Sequence, residues 1–311
     1  MNIPHPFFHD GWIEYNKRRW GFEAERVVYS PSTSGTPRLE SVLYLDKRGR
    51  VSLPPLQAHQ ALLFSATETD KPFRVTRQWQ EVSALFAKDL RKRGLPYGLI
   101  LPPEALDVRE FQWLGYETTL RFTFHIPLPF QRENVDHQVR KQINKAERAG
   151  VIYGRAGKGE ARQIVDVLDD TEERQKFSFS LDETAIRLAL DLMGADLLRV
   201  YTATTRGRIS SFRFVLAAPG LRAVDWVAAT ERESLKEGAT QGLINFVLED
   251  LSHIGATAFD FAGANLPAVS MSKLCWGGDL RAYPMIRLPG WRSLLSYGRR
   301  NLPWLMPWRR Q

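Results

Sequence analysis

Two aspartates stand inside short apolar segments of the sequence, where a carboxylate is unusual. Asp260 lies in the run AFDF (258–261), and Asp225 lies in AVDWV (223–227). We expect both segments to form buried strands, because each is short and largely apolar. A buried carboxylate needs a hydrogen-bonding partner or a raised pKa, and either suits a group that accepts a proton in catalysis. Asp260 and Asp225 are therefore candidate catalytic residues, with a hydrogen-bonded structural aspartate as the alternative for each.

Two glycines lie at the start of a predicted helix. Residues 236–242 read KEGATQG, and apolar residues recur on one side of the following segment up to residue 253, as in an amphipathic helix. Gly238 and Gly242 lack side chains, so backbone N–H groups there can approach a phosphate closely. They are candidate cofactor-binding residues, although entry of the chain into a helix also explains them.

A basic helix is predicted from Asn134 to Gly150, the residues that would cap its two ends. Arg140, Asn144 and Arg148 are four residues apart and therefore share one face. Such a face is either solvated or binds an anion. We treat these three residues as candidate contacts to an acidic substrate.

Several familiar catalytic motifs are missing from the sequence. It contains no P-loop, no dinucleotide-binding glycine fingerprint and no Gly-x-Ser-x-Gly nucleophile motif. Cys275 is the only cysteine, which excludes an internal disulfide, and His5 and His9 lack a third ligand, so no metal is expected. These absences favour chemistry that needs little covalent help from the protein. Acyl transfer from an activated donor to an amine is such a chemistry, because alignment and oxyanion stabilisation suffice.

The composition is that of a globular protein, with 311 residues of which 43% are hydrophobic and 25% charged. No apolar run approaches the ~20 residues of a membrane-spanning helix. The N-terminal residues lack the basic and apolar pattern of a secretory signal. The cytoplasm is therefore the expected compartment.

The positive charge is concentrated near the C-terminus. Seven arginines and no lysine or acidic residue follow Asp279, so of the net charge of +8 only +1 belongs to residues 1–279. Residues 291–311 interleave arginine with tryptophan and leucine. Such a tail packs on the body, contacts the inner face of a membrane, or binds an RNA backbone, and all three remain open.

The order of predicted elements repeats along the chain. Short strands between residues 22 and 64, including a hairpin around 46–49, precede a helix (79–92) and a buried strand (97–101). Strands at 199–203, 211–216 and 223–227 likewise precede a helix (240–253) and a strand (258–261). This repetition predicts an internally duplicated α/β protein, with halves at residues 1–130 and 131–290 and a basic, aromatic tail at 291–311.

Three stretches resemble the GNAT acyltransferase superfamily, in particular its double-domain branch with the Fem-type peptidoglycan aminoacyltransferases. They are RKQINKAERAGV (140–151), GATAFDFAGAN (255–265) and SKLCWGG (272–278). The resemblance covers roughly residues 10–290. The sequence departs from the family pattern at Ser272, where an aromatic residue is usual, and in residues 236–242, which match the GNAT phosphate loop only loosely. The long helical arm of some Fem enzymes has no room here.

The resemblance implies two tandem GNAT-like halves with central mixed sheets, the second half being catalytic. It places Lys273 where an anionic substrate would lie, as a phosphate or carboxylate anchor. The implied activity is transfer of an acyl group from acyl-CoA to an amine of a cell-envelope saccharide or peptidoglycan-type precursor. Aminoacyl-tRNA is the alternative donor, and a non-catalytic module that binds an envelope ligand is the second alternative. The implied partners are an anionic or lipid-linked precursor, tRNA in the alternative case, and no DNA.

Overall fold

The first half of the chain forms helices and strands in the repeating order expected from the sequence. The computed structural model describes residues 5–31, 36–105, 107–176 and 178–290. The tail at residues 291–311, with its three predicted roles, lies outside the described residues. The elements of the first half are α1 (Asp10–Trp20), β1 (Glu23–Tyr29), β2 (Arg38–Leu45), β3 (Leu62–Ser65), α2 (Pro72–Arg93), β4 (Leu99–Ile100), α3 (Arg109–Trp113) and β5 (Glu117–Pro127).

The second half adds a helix pair before its strands. Its elements are α4 (His137–Arg148), β6 (Ile152–Arg155), α5 (Ala161–Gln175), α6 (Glu183–Leu197), β7 (Leu198–Thr205), β8 (Arg208–Leu216), β9 (Arg222–Thr230), α7 (Arg232–Leu235), α8 (Ala239–His253), β10 (Ala258–Asp260), α9 (Pro267–Leu274) and β11 (Asp279–Arg287).

Within the described residues, the strands form two sheets. One has three strands in the order β1-β2-β3, and the other has eight in the order β4-β11-β5-β10-β9-β8-β7-β6. Strands β9 and β10 are parallel, and the other neighbouring pairs are antiparallel. This is the mixed α/β architecture predicted from the sequence.

The duplicated order is visible in three dimensions. The first unit consists of β1–β3, α2, β4, α3 and β5. The second unit consists of β7–β9, α8, β10, α9 and β11, in the same order apart from the short helix α7 before α8. The two final strands lie side by side, from His125 opposite Asp279 to Glu117 opposite Arg287. Each then pairs with the short strand of the other unit, β5 with β10 and β11 with β4. The two units therefore exchange their final strands within one sheet.

Three hydrophobic clusters cover these sheets. The first includes Trp12 of α1, residues of α5 and α6, and Phe212 and Phe214 of β8. The second holds Leu243 and Leu248 of α8 against the strands and α4. The third joins α2 to β2. Since helices cover the large sheet on both faces, its central strands are buried on both faces, as their continuous apolar runs require.

Several element boundaries differ from the predictions. The expected strand at 51–53 contributes only a single bridge, between Leu45 and Val51, because β2 pairs instead with β1 and β3. Helix α2 begins at Pro72 rather than residue 79, since proline is well suited to the first helical turn. Helix α4 is capped by Asp136, whose side chain accepts a hydrogen bond from the Gln138 N–H at 2.7 Å, and not by Asn134. No helix in the described part of the chain is long and apolar enough to span a membrane.

Candidate active site

A cleft forms where β9 and β10 separate. Their parallel pairing extends only to Asp260, which lies opposite Val224, whereas β9 continues to Thr230. A bulge begins at the same point, because Val215 lies opposite Asp225 and Phe214 opposite Val227, which leaves Trp226 without a partner residue on β8. A bulge increases the local twist of a strand. The resulting cleft has a volume of about 500 Å³.

The polar lining of this cleft comes from both halves of the chain. Arg213 and Asp225 belong to β8 and β9, and Lys273 lies in the last turn of α9. Arg121 of β5 and Tyr283 of β11 are directly opposite each other in the exchanged strands and also line the cleft. The strand exchange therefore completes the site. It brings together two of the residues predicted from sequence, Asp225 and Lys273.

Asp225 is buried and paired with a buried arginine. Both Asp225 and Arg213 are 8% exposed, and an Nη1–H of Arg213 donates to Oδ2 of Asp225. The other carboxylate oxygen, Oδ1, has no hydrogen-bond partner among the described residues. One oxygen is thus fixed by the ion pair, and the second is a buried acceptor without a partner among the described residues, on a residue that lines the cleft.

Lys273 is held by the backbone of the segment that follows β10. Its Nζ donates to the carbonyl oxygens of Phe261 at 2.7 Å and Gly263 at 2.6 Å. An ammonium group has three N–H donors, so one donor remains for a ligand. Burial is the main reason that the pKa of Lys273 lies below its ordinary value. The two carbonyls fix the position of this cation at the wall of the cleft, and its predicted anchor role stays a prediction.

Asp260 has the contacts of a structural aspartate. Its Oδ1 accepts hydrogen bonds from the Thr123 hydroxyl at 2.7 Å and the Ala262 N–H at 2.8 Å, and its Oδ2 lies 3.3 Å from Nε2 of His125. Burial alone would raise the pKa of Asp260, but His125 and Thr123 outweigh burial and hold the pKa well below its usual range. The carboxylate ties β5 to β10 and does not line the cleft. These contacts match the structural alternative stated above, and a catalytic role for Asp260 remains a prediction.

The three candidate residues of the basic helix lie elsewhere. Helix α4 packs against α8, and none of Arg140, Asn144 and Arg148 lines the cleft. The Asn144 side chain accepts a hydrogen bond from Arg132 at 2.7 Å, and Arg148 is exposed. The structure therefore does not bring these residues to Asp225 and Lys273, because their helix covers α8 instead of the cleft.

The two candidate cofactor glycines are explained by close packing. A Cβ at Gly238 would lie 2.3 Å from the carbonyl oxygen of Gln142 in α4, and one at Gly242 would lie 1.8 Å from the hydroxyl of Tyr153. Gly238 also has φ of +79°, a left-handed conformation that favours glycine. At both positions the face without a side chain is covered by protein, which explains the glycines, and their predicted role in cofactor binding stays a prediction.

Sequence reasoning missed Arg213, Arg121 and Tyr283. Arg213 could have been recognised from the sequence, because an arginine in the centre of an apolar strand needs an acidic partner on a neighbouring strand. Asp225 is that partner. Arg121 and Tyr283 carried none, because their approach depends on the pairing of strands about 160 residues apart in the chain.

Comparisons with known proteins agree with this architecture. Residues 133–268 match the family model described as an acetyltransferase (GNAT) domain. The fold is similar to that of FemX, with a TM-score of 0.67, 13% identity, and coverage of 96% of this chain and 98% of FemX. It is also similar to L-PGS from Bacillus licheniformis, with a TM-score of 0.55, 15% identity, and coverage of 94% and 95%. No curated protein matches the chain.

A further solved structure has a related fold. The C-terminal domain of a putative lysylphosphatidylglycerol synthetase from Agrobacterium fabrum has a TM-score of 0.55 at 12% identity, with coverage of 90% of this chain and 89% of that domain. The matched GNAT domain and the FemX-like fold support an acyltransferase. More particularly, the fold of the whole chain is similar to that of FemX, and the matched GNAT domain occupies residues 133–268.

Proposed function

We propose that this protein transfers an acyl group from acyl-CoA to an amine of an anionic cell-envelope precursor bound in the cleft. The observation that carries the proposal is the cleft itself, where a free carboxylate oxygen of Asp225 and a fixed ammonium of Lys273 line one site. Arg121 adds a half-buried cation that makes no ion pair within the described residues. The resemblance to Fem-type enzymes and the name of the putative lysylphosphatidylglycerol synthetase support an envelope acceptor.

Each cleft residue has a distinct part in this proposal. Arg121 binds the anionic group of the acceptor, because no acidic group among the described residues neutralises this cation. Asp225 accepts a hydrogen bond from the attacking amine through Oδ1 and takes up its proton. The remaining N–H of Lys273 donates to the acyl oxygen as negative charge develops there, which is a major source of acyl-transfer catalysis.

The bond changes balance without a further reactant. The amine nitrogen attacks the carbonyl carbon of the thioester and forms the C–N bond. The C–S bond then breaks, and the proton taken up by Asp225 passes to the thiolate that leaves. The products are an amide and a free thiol.

Aminoacyl-tRNA is the second candidate donor, and one observation favours it. Gln142 of α4 packs against Gly238, and Tyr153 of β6 packs against Gly242, at the N-terminal turn of α8 where the sequence predicts contacts to the phosphates of CoA. Helix α4 also exposes Lys141, Lys145 and Arg148, which suit contacts to an RNA backbone. In that case the bond that breaks is the C–O ester bond of the aminoacyl group.

Calorimetric titration with CoA and acetyl-CoA at one fixed salt concentration separates the two donors. Saturable binding supports acyl-CoA. Absence of heat, together with retention of aminoacyl-tRNA on the protein, supports the second donor. Failure of both ligands to bind would contradict acyl transfer by this site.

Substitution of Lys273 tests the chemistry once a donor is known. We expect Lys273→Met to lower kcat about 10²-fold, the usual effect of removing one oxyanion donor, with a smaller change in KM. Lys47→Met, at an exposed turn, is the matched control and should leave both constants unchanged. Circular dichroism and the unfolding midpoint verify that the variants fold. Unchanged turnover in a folded Lys273→Met variant would overturn the assigned role.

A further inference from the structure

The first unit contains a cavity that the proposed reaction does not use. Its volume is about 580 Å³, larger than that of the active-site cleft. Strand β3, the first turns of α2 and the segment after β4 form one side. Residues 220–222 and Thr257, at the beginnings of β9 and β10, form the other. Because the cleft lies where these two strands separate at their far ends, the cavity and the cleft are distinct sites.

The duplication relates the two sites. In the second unit, the cleft lies between β9 and β10, the strands that precede and follow α8. The corresponding strands of the first unit are β3 and β4, on either side of α2, and they belong to different sheets. The Gln60 N–H, just before β3, donates to the Ile100 carbonyl of β4 at 2.7 Å. Beyond this contact the two segments separate, and residues 62–64, 102 and 104–105 line the cavity. The first unit has retained a counterpart of the opening between strands.

The walls of this cavity are mainly apolar. Leu62, Phe64, Val75, Trp79 and Leu221 line it, and each remains partly exposed. Phe64 and Trp79 pack edge to face with centroids 5.4 Å apart, and the Trp79 indole N–H donates to the Asp107 carbonyl at 2.7 Å. The indole is thus fixed as part of the wall. Apolar walls of this extent and volume are typical of small-ligand sites.

Two unused hydrogen-bond donors lie in the polar part of the lining. Arg222 pairs with Glu104 through its terminal nitrogens, and its Nε has no partner within the described part of the chain. His5 is 9% exposed, and its Nδ1 accepts the Phe7 N–H at 3.3 Å. Burial, the first of several causes, lowers the pKa of His5 well below its ordinary value. The ring is therefore neutral with its proton on Nε2, and that donor also has no partner among the described residues.

We propose that this cavity binds an aliphatic chain whose polar end presents acceptor oxygens, as in a medium-chain fatty acyl group. The apolar walls take the chain. The two donors, His5 Nε2–H and Arg222 Nε–H, select an oxygen-bearing head over an ammonium head. Binding here is independent of acyl transfer in the cleft, so the two proposals stand or fall separately.

Quenching of Trp79 by 11-bromoundecanoate tests the position of the chain. We expect saturable quenching of the full-length protein below the micelle concentration of the probe. The Trp79→Phe variant should lose the quenching and retain calorimetric binding of undecanoate. Quenching that persists in Trp79→Phe, or an absence of saturable binding, would overturn the proposal.

Two further comparisons test the head group and the walls. Undecanoate should bind at least about tenfold more tightly than undecylamine, and equal affinity would contradict the role of the two donors. Val75→Glu should weaken binding by at least about tenfold, because it places a charge in the apolar wall. Gln80→Glu adds the same charge on α2 outside the cavity lining and should change affinity less than twofold. Equal effects of the two variants would overturn the site.

Discussion

At the scale of single residues, the most unusual feature of the cleft is the buried ion pair of Arg213 and Asp225 in its lining. Two charges at 8% exposure are tolerated in a protein interior because each neutralises the other. The sequence alone identified Asp225 as an unusual buried carboxylate. Its partner was not identified, because the register of β8 against β9 includes a bulge that local patterns do not reveal.

Removal of one member of this pair should be costly. We expect Arg213→Met to lower the free energy of unfolding by about 3–5 kcal/mol, because it leaves Asp225 buried without its counter-charge. The double variant Arg213→Met, Asp225→Leu should recover much of that loss. Urea unfolding measures both. The exposed pair Arg281–Asp279 is the control, where Arg281→Met should cost less than about 1 kcal/mol. Equal costs at the two pairs would show that burial does not govern the effect.

The buried histidines make a second prediction, about pH. Burial lowers the pKa of His5 and of His59 below the ordinary value of 6.5. The unfolded chain then binds more protons than the folded chain below about pH 6.5, so stability should decrease as the pH falls through that range. Each such histidine contributes a slope of up to about 1.4 kcal/mol per pH unit.

Urea unfolding between about pH 6.5 and pH 5 checks this sign. We expect His5→Gln and His59→Gln each to flatten the pH dependence, and the double variant to flatten it further. Asp260, whose pKa is also lowered, contributes only at more acidic pH, below the ordinary pKa of an aspartate. A pH dependence unchanged in the double variant would contradict the assignment to these histidines.

At the scale of elements, the sequence predicted the regions with strong local patterns. The helix expected at 240–253 is α8 (Ala239–His253), and the three strands before it are β7, β8 and β9. These strands are rich in apolar residues because both of their faces are buried, one in the first hydrophobic cluster and the other in the second. The prediction of a strand at 51–53 was wrong. The neighbour of β2 is β3, which lies about 20 residues further along the chain, and local patterns do not reveal that pairing.

Gly238 allows a prediction about the contact between α4 and α8. Gly238→Ala should destabilise the protein by clearly more than the cost of a left-handed alanine, because its Cβ would also meet the Gln142 carbonyl at 2.3 Å. Gly255→Ala is a matched control, with φ of +76° and no atom within 4 Å of the added Cβ. We expect about 1–2 kcal/mol for Gly255→Ala and a larger loss for Gly238→Ala in urea unfolding. Equal losses in the free energy of unfolding would show that α4 and α8 move apart at Gly238 without measurable destabilisation, which would contradict the prediction.

At the scale of the whole molecule, the exchange of β5 and β11 is the feature that the sequence did not show. The repeated order of helices and strands could be predicted from the sequence, because it depends only on their order along the chain. The neighbours of β5 and β11 in the sheet could not be predicted, because each of these strands pairs with residues more than 100 positions away. The predicted division at residue 130 therefore separates β5 from both of its neighbours.

Separation of the halves should test this arrangement. Fragments 1–130 and 131–290 should each fail to fold alone, because β10 and β11 lose the strand between them and β4 loses its partner. Co-expression should restore a complex with dispersed amide resonances and one cooperative unfolding transition. Independent folding of either fragment, observed by nuclear magnetic resonance, would contradict the prediction.

The exchange of β5 and β11 has a consequence for the evolution of such a chain by gene duplication. A polypeptide with one copy of the unit could complete its sheet only by donating its last strand to a second identical copy. The half-length ancestor would accordingly be an obligate homodimer with two equivalent openings. Fusion of the two genes would let the two openings diverge in sequence, while β5 and β11 continue to join both units in one sheet.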